Sequence, residues 1–142
     1  MIIDSIGNGI VIDHIKAGKC MEIYQLLNLE KLECSVAIIK NVTSSKMGKK
    51  DIIKIDQEMD LNLGVLGYVD PDCTANIIKE SVIINKYKPQ LPTQLVNVLF
   101  CKNPRCIVTT EQEIKHIFKL TDIDKRIYRC IYCETEGKSS EE

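Results

Sequence analysis

The sequence lacks several features that would assign it to a large functional class. Its 142 residues carry 19 Lys and Arg against 20 Asp and Glu, so it has no excess of positive charge for nucleic acid or an anionic membrane. No apolar run approaches the ~18–20 residues that a membrane helix needs. The N-terminus has no basic region ahead of an apolar stretch, as a signal peptide would. These absences predict a soluble protein of the reducing cytoplasm.

The sequence also has few of the residues and motifs that commonly carry out catalysis. The chain has two histidines, and it contains neither a Gly-rich phosphate loop nor a candidate Ser-His-Asp arrangement. Its hydrophobic share of 44% and charged share of 27% are ordinary for a globular protein. We therefore expect a folded chain that is not itself an enzyme.

Cysteine, by contrast, is abundant. Seven cysteines in a chain without a secretion signal favour metal ligands over disulfides wherever they cluster. Cys20, Cys34 and Cys73 are scattered among apolar neighbours. These three are predicted to be small buried hydrophobic residues.

The other four cysteines form two tight pairs. Cys101 and Cys106 are a C-x4-C pair, Cys130 and Cys133 are a C-x2-C pair, and 23 residues separate the pairs. Zinc takes four such thiolates at ~2.3 Å in a closed tetrahedron, which leaves no position for a reacting water. We therefore predict one structural zinc per chain. His116 could replace one cysteine, but it lies far from either pair in the sequence.

The segment Pro89-Gln-Leu-Pro92 is the clearest domain boundary, because two prolines in four residues remove backbone donors and favour extended backbone. We predict one domain at residues 1–92 and a second at 93–142, with a frayed tail at 135–142. About 45 residues bury too little apolar surface to fold securely alone. Zinc binding on the order of 10 kcal/mol can supply the deficit.

The first domain alternates between strand and helix patterns. The predicted elements are a strand at 9–15, a helix at 17–28, a strand at 33–42, a basic turn containing Lys46, Lys49 and Lys50, a strand at 51–56, a short helix capped by Asp60, and one long strand or two over 74–87. The order β-α-β-β-α-β predicts an α+β, ferredoxin-like domain.

The second domain reads as a small all-β zinc ribbon of the rubredoxin-like type. Strands are predicted at 107–109, 114–120 and 126–129, between and beside the cysteine pairs. From Leu95 onward the chain holds eight basic and eight acidic residues. A neutral ribbon fits a protein contact better than contact with phosphates.

Several stretches together resemble the regulatory chain of aspartate carbamoyltransferase. The stretches are Val11-Ile-Asp-His-Ile15, Met47-Gly-Lys-Lys-Asp-Ile-Ile-Lys-Ile55, Thr74-Ala-Asn-Ile-Ile78, Pro89-Gln-Leu-Pro92, Asn97-Val-Leu-Phe-Cys101 and the cysteine spacing. The resemblance covers nearly the whole chain.

The resemblance implies a non-catalytic regulatory subunit of the pyrimidine pathway. In that family an N-terminal domain binds nucleotide effectors and a C-terminal zinc domain docks on the catalytic chain. The regulatory chains form homodimers through the N-terminal domain. CTP inhibits and ATP activates the best-known members, and UTP can add to the inhibition.

The resemblance also implies an effector site. By position, Lys86 and His14 would contact phosphates, and Asp13 and Lys54 the ribose, with Lys54 also near the base. The remaining positions carried over are Asn76 and three apolar or backbone contacts at the base, Ile6, Ile78 and Ile83.

Two features of this sequence bear on the assignment of these effector-site residues. Asp13 and His14 are neighbours in the chain and would face opposite sides of a regular strand. Both can reach one ligand only where the strand ends or bulges. Ser81 stands where a well-studied member has a tyrosine in the base pocket.

Two other functions remain open at this point. One is a nucleic-acid-binding zinc ribbon with an accessory domain, against which the neutral charge argues. The other is a thiol enzyme with Cys20, Cys34 or Cys73 as nucleophile, which would need a base beside the thiol to lower its pKa.

Overall fold

The computed structural model describes residues 5–137, which form two compact units divided between Leu91 and Pro92. The elements of the first unit are β1 (Gly9–Lys16), α1 (Cys20–Leu26), a 3-10 turn (Leu29–Lys31), β2 (Val36–Ser44), β3 (Gly48–Ile55), α2 (Leu63–Val69), β4 (Thr74–Lys79) and β5 (Val82–Tyr87). Within residues 5–137 no helix is long and apolar enough to cross a membrane.

The sheet of the first unit is antiparallel, with strand order β2-β3-β1-β4-β5. Its first four strands and two helices follow the predicted β-α-β-β-α-β order, so the α+β class is confirmed. The region 74–87 forms two strands rather than one. Glu80 and Ser81 have φ of 51° and 65°, which is the geometry of a two-residue hairpin turn.

Alternation of side chains along the strands divides the sheet into two faces. On one face Ile10, Ile12, Ile53 and Ile55 are buried and join residues of both helices in a single apolar cluster. The alternate residues, such as Val11 and Lys54, point to the other face and stay partly exposed. We call this second surface the open face.

Two buried carboxylates hold the connection from β1 to α1. Asp51 accepts backbone N–H groups from Gly18 at 2.9 Å and Asn41 at 3.0 Å, and Asp70 accepts that of Lys16 at 2.7 Å. Burial alone would raise the pKa of Asp51, but the N–H donors hold that pKa below its ordinary value. Asp51 also accepts the N–H of Cys20, the first residue of α1, at 3.4 Å, and so supplies the N-terminal capping that the side chain of Lys19 does not.

Three local predictions for this unit are wrong. The helix expected at 17–28 is shorter, because Asn28 adopts a left-handed φ of 56° and a 3-10 turn follows. Helix α2 is capped by Asn62, whose side chain accepts the N–H of Val65 at 3.2 Å, and not by Asp60. Lys49 and Lys50 lie within β3 instead of the basic turn.

Helix α2 also contacts the last residues of the first unit. A Cβ on Gly67 would collide with the backbone of Gln90, so only glycine permits this close approach. Pro89, the residue before Gln90, is buried. The end of the first unit, at Pro89 and Gln90, is therefore held in place by packing.

The second unit contains β6 (Gln94–Val96), α3 (Ile107–Thr110), β7 (Ile117–Asp122) and β8 (Ile127–Cys130). The three strands form an antiparallel sheet in the order β6-β7-β8. Phe118 and Tyr128 are its largest buried side chains, and the Tyr128 hydroxyl donates to the carbonyl of Pro92 at 2.6 Å. The small β-rich ribbon is thus confirmed.

Two predictions for this unit need correction. Residues 107–109 were expected to form a strand but begin the single helical turn α3. Residues 135–137 were assigned to a frayed tail, yet Glu136 bridges to Arg129 and the N–H of Gly137 donates to the carbonyl of Tyr128 at 2.8 Å. The rest of that tail, 138–142, lies outside the described residues.

Candidate metal centre and effector site

The two cysteine pairs meet at one point of the second unit. The sulfur atoms of Cys101, Cys106, Cys130 and Cys133 all lie within 4.8 Å of one another. The Sγ atoms of Cys101 and Cys133 are 3.6 Å apart, and those of Cys106 and Cys130 are 3.7 Å apart. Four ligands at ~2.3 Å from one tetrahedral ion would be separated by about 3.8 Å, so the donor set fits zinc.

Hydrogen-bond donors surround these sulfurs and favour their thiolate form, which is the form that binds a metal ion. Three of them accept a backbone N–H from the residue two positions later, namely Asn103, Val108 and Thr135. The Thr135 hydroxyl, 3.2 Å from Cys133 Sγ, is the largest of several hydrogen-bonding contributions that lower the pKa of that thiol to about 6. Burial raises the pKa of Cys101 to about 12. An ion that binds here must therefore displace protons from buried thiols.

A four-sulfur site leaves no vacant coordination position for substrate or water. Three of its cysteines are buried and the fourth is partly exposed. The chemistry of this donor set is therefore structural, and one zinc per chain is its expected occupant.

His116 lies outside the cluster, so the alternative of a histidine ligand is not supported. Its Nδ1 atom instead accepts the backbone N–H of Cys101 at 3.0 Å. The backbone N–H of His116 donates to Asn97 Oδ1 at 2.9 Å. His116 therefore contacts the first cysteine pair through the main chain.

Two of the three scattered cysteines, Cys20 and Cys73, are poor candidates for a nucleophile. Cys20 and Cys73 are fully buried, as predicted, whereas Cys34 is half-buried. Burial raises the pKa of Cys73 to about 12, and burial together with Asp51 raises that of Cys20 to about 11. Thiols with such pKa values stay protonated at neutral pH and are poor nucleophiles.

The predicted effector residues come together on the open face of the first sheet. The strand registers place Lys54 opposite Val11, Val11 opposite Asn76, and Asn76 opposite Lys86. Directly opposed residues share a face, so the four side chains form one row across β3, β1, β4 and β5. At ~4.8 Å per strand the row is about 14 Å long.

Asp13 and His14 lie beside this row because β1 bulges. The pairing with β3 shifts between Ile12 and Ile15, and His14 has a left-handed φ of 58°. His14 donates its N–H to Asp13 Oδ1 at 2.6 Å, and its ring Nδ1 lies 3.0 Å from the hydroxyl of Thr74. The bulge is the irregularity that would bring both side chains to one ligand.

Lys50 contacts this group of residues, although the sequence analysis did not include it in the site. Its Nζ lies 3.0 Å from Asp13 Oδ1, and its side chain is only 16% exposed. Burial alone would raise the pKa of Asp13, but Lys50 and the N–H of His14 hold that pKa below its usual value. A sequence signal for Lys50 was available. Lys50, Ile52 and Lys54 alternate along the chain, which indicates that β3 begins before Asp51 and that Lys50 shares the open face with Lys54.

Asn76 presents an unsatisfied acceptor in the row. Its side chain is 7% exposed, and its amide nitrogen donates to the carbonyl of Val11 at 3.3 Å. Its Oδ1 atom is buried without a hydrogen-bond partner among the described residues. A buried acceptor left in this state costs about 1–3 kcal/mol.

The apolar positions lie to one side of the row, toward the hairpin between β4 and β5. Ile78 pairs with Gly9 on one side and with Ile83 on the other. The segment with Ile6 is held nearby, because the N–H of Ser81 donates to the carbonyl of Gly7 at 2.8 Å. One end of the open face is therefore apolar, and the other is rich in charged groups.

Comparisons with known proteins agree across both units. A family model described as aspartate carbamoyltransferase regulatory chain, allosteric domain, matches residues 1–90, and one described as the metal binding domain of the same chain matches residues 93–141. The chain is similar to curated proteins named aspartate carbamoyltransferase regulatory chain. That of Clostridium tetani is 50% identical over 143 residues, which covers 100% of this chain and 99% of the relative.

More distant relatives bear the same name. The protein of Clostridium acetobutylicum is 48% identical over 134 residues, covering 94% of this chain and 92% of the relative. That of Bifidobacterium longum is 40% identical over 138 residues, covering 97% and 99%.

Proposed function

Because the chain belongs to the family of aspartate carbamoyltransferase regulatory chains, we propose that it binds nucleoside triphosphates on the open face of its first unit and thereby controls catalytic chains held by its second unit. The chain itself is a non-catalytic subunit. The observation that carries the proposal is the row of Lys54, Asn76 and Lys86 across four strands, flanked by the bulge at Asp13 and His14.

The charges of this face suit a triphosphate. Lys86 and His14 contact phosphate oxygens, since ammonium and imidazole donors form short charge-assisted bonds to such anions. Asp13, kept ionised by Lys50, accepts from a ribose hydroxyl, and Lys54 donates to the ribose and the base. A donor from the nucleotide satisfies the Oδ1 atom of Asn76.

The apolar end of the face receives the base. Ile6, Ile78 and Ile83 line it, and backbone groups near the hairpin read the base edge. Ser81 offers no ring to stack against the base, so recognition by backbone carries more of the discrimination between CTP, UTP and ATP.

The second unit holds one zinc through Cys101, Cys106, Cys130 and Cys133 and presents a surface to the catalytic chain. Exposed apolar residues adjoin the cysteines in the sequence. These are Phe100 at 51%, Ile107 at 50%, Ile131 at 44% and Tyr132 at 46% exposure. Aromatic and large aliphatic residues of this kind are enriched in the buried centres of protein interfaces.

Two regulatory chains associate through their first units. Strands β2 and β5 are the edges of the sheet, and β5 exposes Val82, Ile83 and Ile84. An apolar edge of this kind invites pairing with another chain. Sedimentation of the full chain tests this part, with a dimer as the expected species.

Assay of the assembled complex tests the proposal as a whole. The chain is co-purified with the catalytic polypeptide in the presence and absence of zinc, and carbamoyl aspartate formation is measured against CTP, UTP and ATP. Co-purification that requires zinc and a rate that responds to a nucleotide are expected. Calorimetry that detects no saturable nucleotide binding, by the chain or by the complex, contradicts the effector role.

The proposed setting is the cytoplasm, where pyrimidine nucleotides are made and used. The alternative of a nucleic-acid-binding ribbon predicts a salt-sensitive gel shift with DNA or RNA. The family assignment and the neutral charge of the second unit both argue against that result.

A further inference from the structure

We infer that His116 is a positioning residue for the metal centre, holding the first cysteine pair in its metal-binding conformation through the backbone N–H of Cys101. The inference rests on the zinc site proposed above. It assigns to this histidine a role that is neither a metal ligand nor ordinary packing.

The first observation is the bond itself. The N–H of Cys101 donates to His116 Nδ1 at 3.0 Å, across 15 residues of chain. Cys101 is buried at 7% exposure, so this N–H has little access to water as an alternative partner. Since Nδ1 accepts, it carries no hydrogen, and the ring hydrogen resides on Nε2.

The second observation is that His116 is itself held on two sides. Its backbone N–H donates to Asn97 Oδ1 at 2.9 Å, and its carbonyl accepts the N–H of Asn97 at 2.7 Å. Its ring meets the edge of Phe100 with ring centroids 4.9 Å apart. The acceptor atom is therefore fixed relative to the turn that leads from Asn97 into Cys101.

These contacts distinguish the first cysteine of the site from Cys106 and Cys130. Cys106 is tied locally, since its N–H donates to the carbonyl of Asn103 at 3.0 Å. The N–H of Cys130 donates to the carbonyl of Thr135 at 2.9 Å. Cys101 alone among these three depends on a side chain for that bond. Loss of the acceptor leaves its backbone free to turn, and the sulfur with it.

The test compares two amide substitutions. Asparagine places its Oδ1 atom where histidine has Nδ1, whereas glutamine places its amide one carbon farther out, near the position of Nε2. The full chain is loaded with zinc, its metal content is measured, and release to an excess of a coloured chelator is followed. His116→Asn should release zinc within about twofold of the unsubstituted chain. His116→Gln should release it about 10-fold faster, the lower end of the range for loss of an outer partner of a metal ligand.

Two controls separate this role from general destabilisation. Lys115→Ala changes the exposed neighbour and should leave release unchanged. With Co²⁺ in place of zinc, both amide variants should show the absorption of four thiolate ligands, because His116 supplies none. If only His116→Gln fails to fold with metal, the position of the acceptor still decides the outcome, as inferred.

Equal release rates for the two amide variants overturn the inference, and so does failure of both to fold with metal. If the unsubstituted chain binds no zinc, the metal site itself is wrong, which is a separate result.

Discussion

The two units of the chain enclose interiors of different chemistry. In the first, twelve buried residues from the sheet and both helices form one apolar cluster. Among residues 92–137 of the second unit, eight apolar or cysteine side chains are buried, and three of those are cysteines of the metal cluster. The first unit can therefore fold on hydrophobic burial, whereas the second needs an ion to complete its interior.

Removal of the metal should have the largest effect, and it should affect the folding of only one of the two units. Chelation of the full chain should unfold the second unit, because metal binding contributes on the order of 10 kcal/mol to a domain of this kind. The first unit should stay folded. Circular dichroism and limited tryptic digestion, with the zinc content measured in parallel, report both effects.

Restoration of zinc to the chelated chain serves as the control and should return the original digestion pattern. If the metal-free chain gives the same spectrum and the same fragments as the loaded chain, the metal has no structural role.

Truncation of a core side chain tests whether hydrophobic burial stabilises the first unit independently of the metal. Ile53 is fully buried, and Ile53→Ala should lower the free energy of unfolding by about 2–5 kcal/mol while zinc content is unchanged. Ile52→Ala, one residue earlier on the open face, is the matched control and should cost less. Urea denaturation of both variants measures the difference, and equal losses would contradict the assignment of the two faces.

The buried carboxylate Asp51 should be the next largest contributor. Asp51→Asn leaves backbone N–H groups facing an amide and should destabilise the first unit by about 2–3 kcal/mol. Asp56→Asn, at an exposed position just after β3, is the control and should be nearly neutral. Thermal or urea unfolding measures both, and equal effects would remove Asp51 from this role.

The same carboxylate predicts a pH dependence. Because its folded pKa lies below the ordinary value of 3.8, its contribution is complete above that pH and is lost as the pH falls through the folded pKa. The free energy of unfolding should therefore fall below about pH 4 in the unsubstituted chain, and less steeply in Asp51→Asn. Parallel pH profiles for the two proteins would exclude Asp51 as the titrating group.

The smallest expected effect is on ligand binding by the open face. Lys86→Ala should weaken nucleotide affinity by about 10-fold, or 1.4 kcal/mol, since one charge-assisted contact is lost. Lys49→Ala removes an exposed lysine of β3 that alternates with Lys50 and is the matched control. Calorimetry with CTP and ATP measures both. Equal affinities for the two variants would remove Lys86 from the site.

Much of the fold could be predicted from periodicity and much of the metal site from spacing. Strand β1 is bounded by glycines and rich in β-branched residues, and its alternation survives in the structure. The cysteine spacing alone predicted a cluster whose sulfurs indeed converge. Both signals are local, so tertiary contacts had little opportunity to override them.

The errors arose where tertiary contacts outweigh local preference. Residues Ile107–Thr110 are β-branched, yet they form a helical turn directly after Cys106, whose sulfur lies 3.7 Å from that of Cys130, 24 residues away. The side-chain contact of His116 with Cys101 spans 15 residues and has no sequence signature. The role of Lys50 depends on Asp13, which is distant in sequence and adjacent only across the sheet.

The irregularity in β1 has a consequence for how this recognition surface could change. Ile12 and Ile15 both reach the core although they are three residues apart, so one additional residue is accommodated between two anchors. Only Asp13 and His14 lie between these anchors, so deletion of either one would restore simple alternation and would remove an acidic or an imidazole group from the proposed nucleotide site. If the proposed site binds nucleotide, the number of residues in this strand determines its specificity as much as their identity does, and point substitution alone would not reveal it.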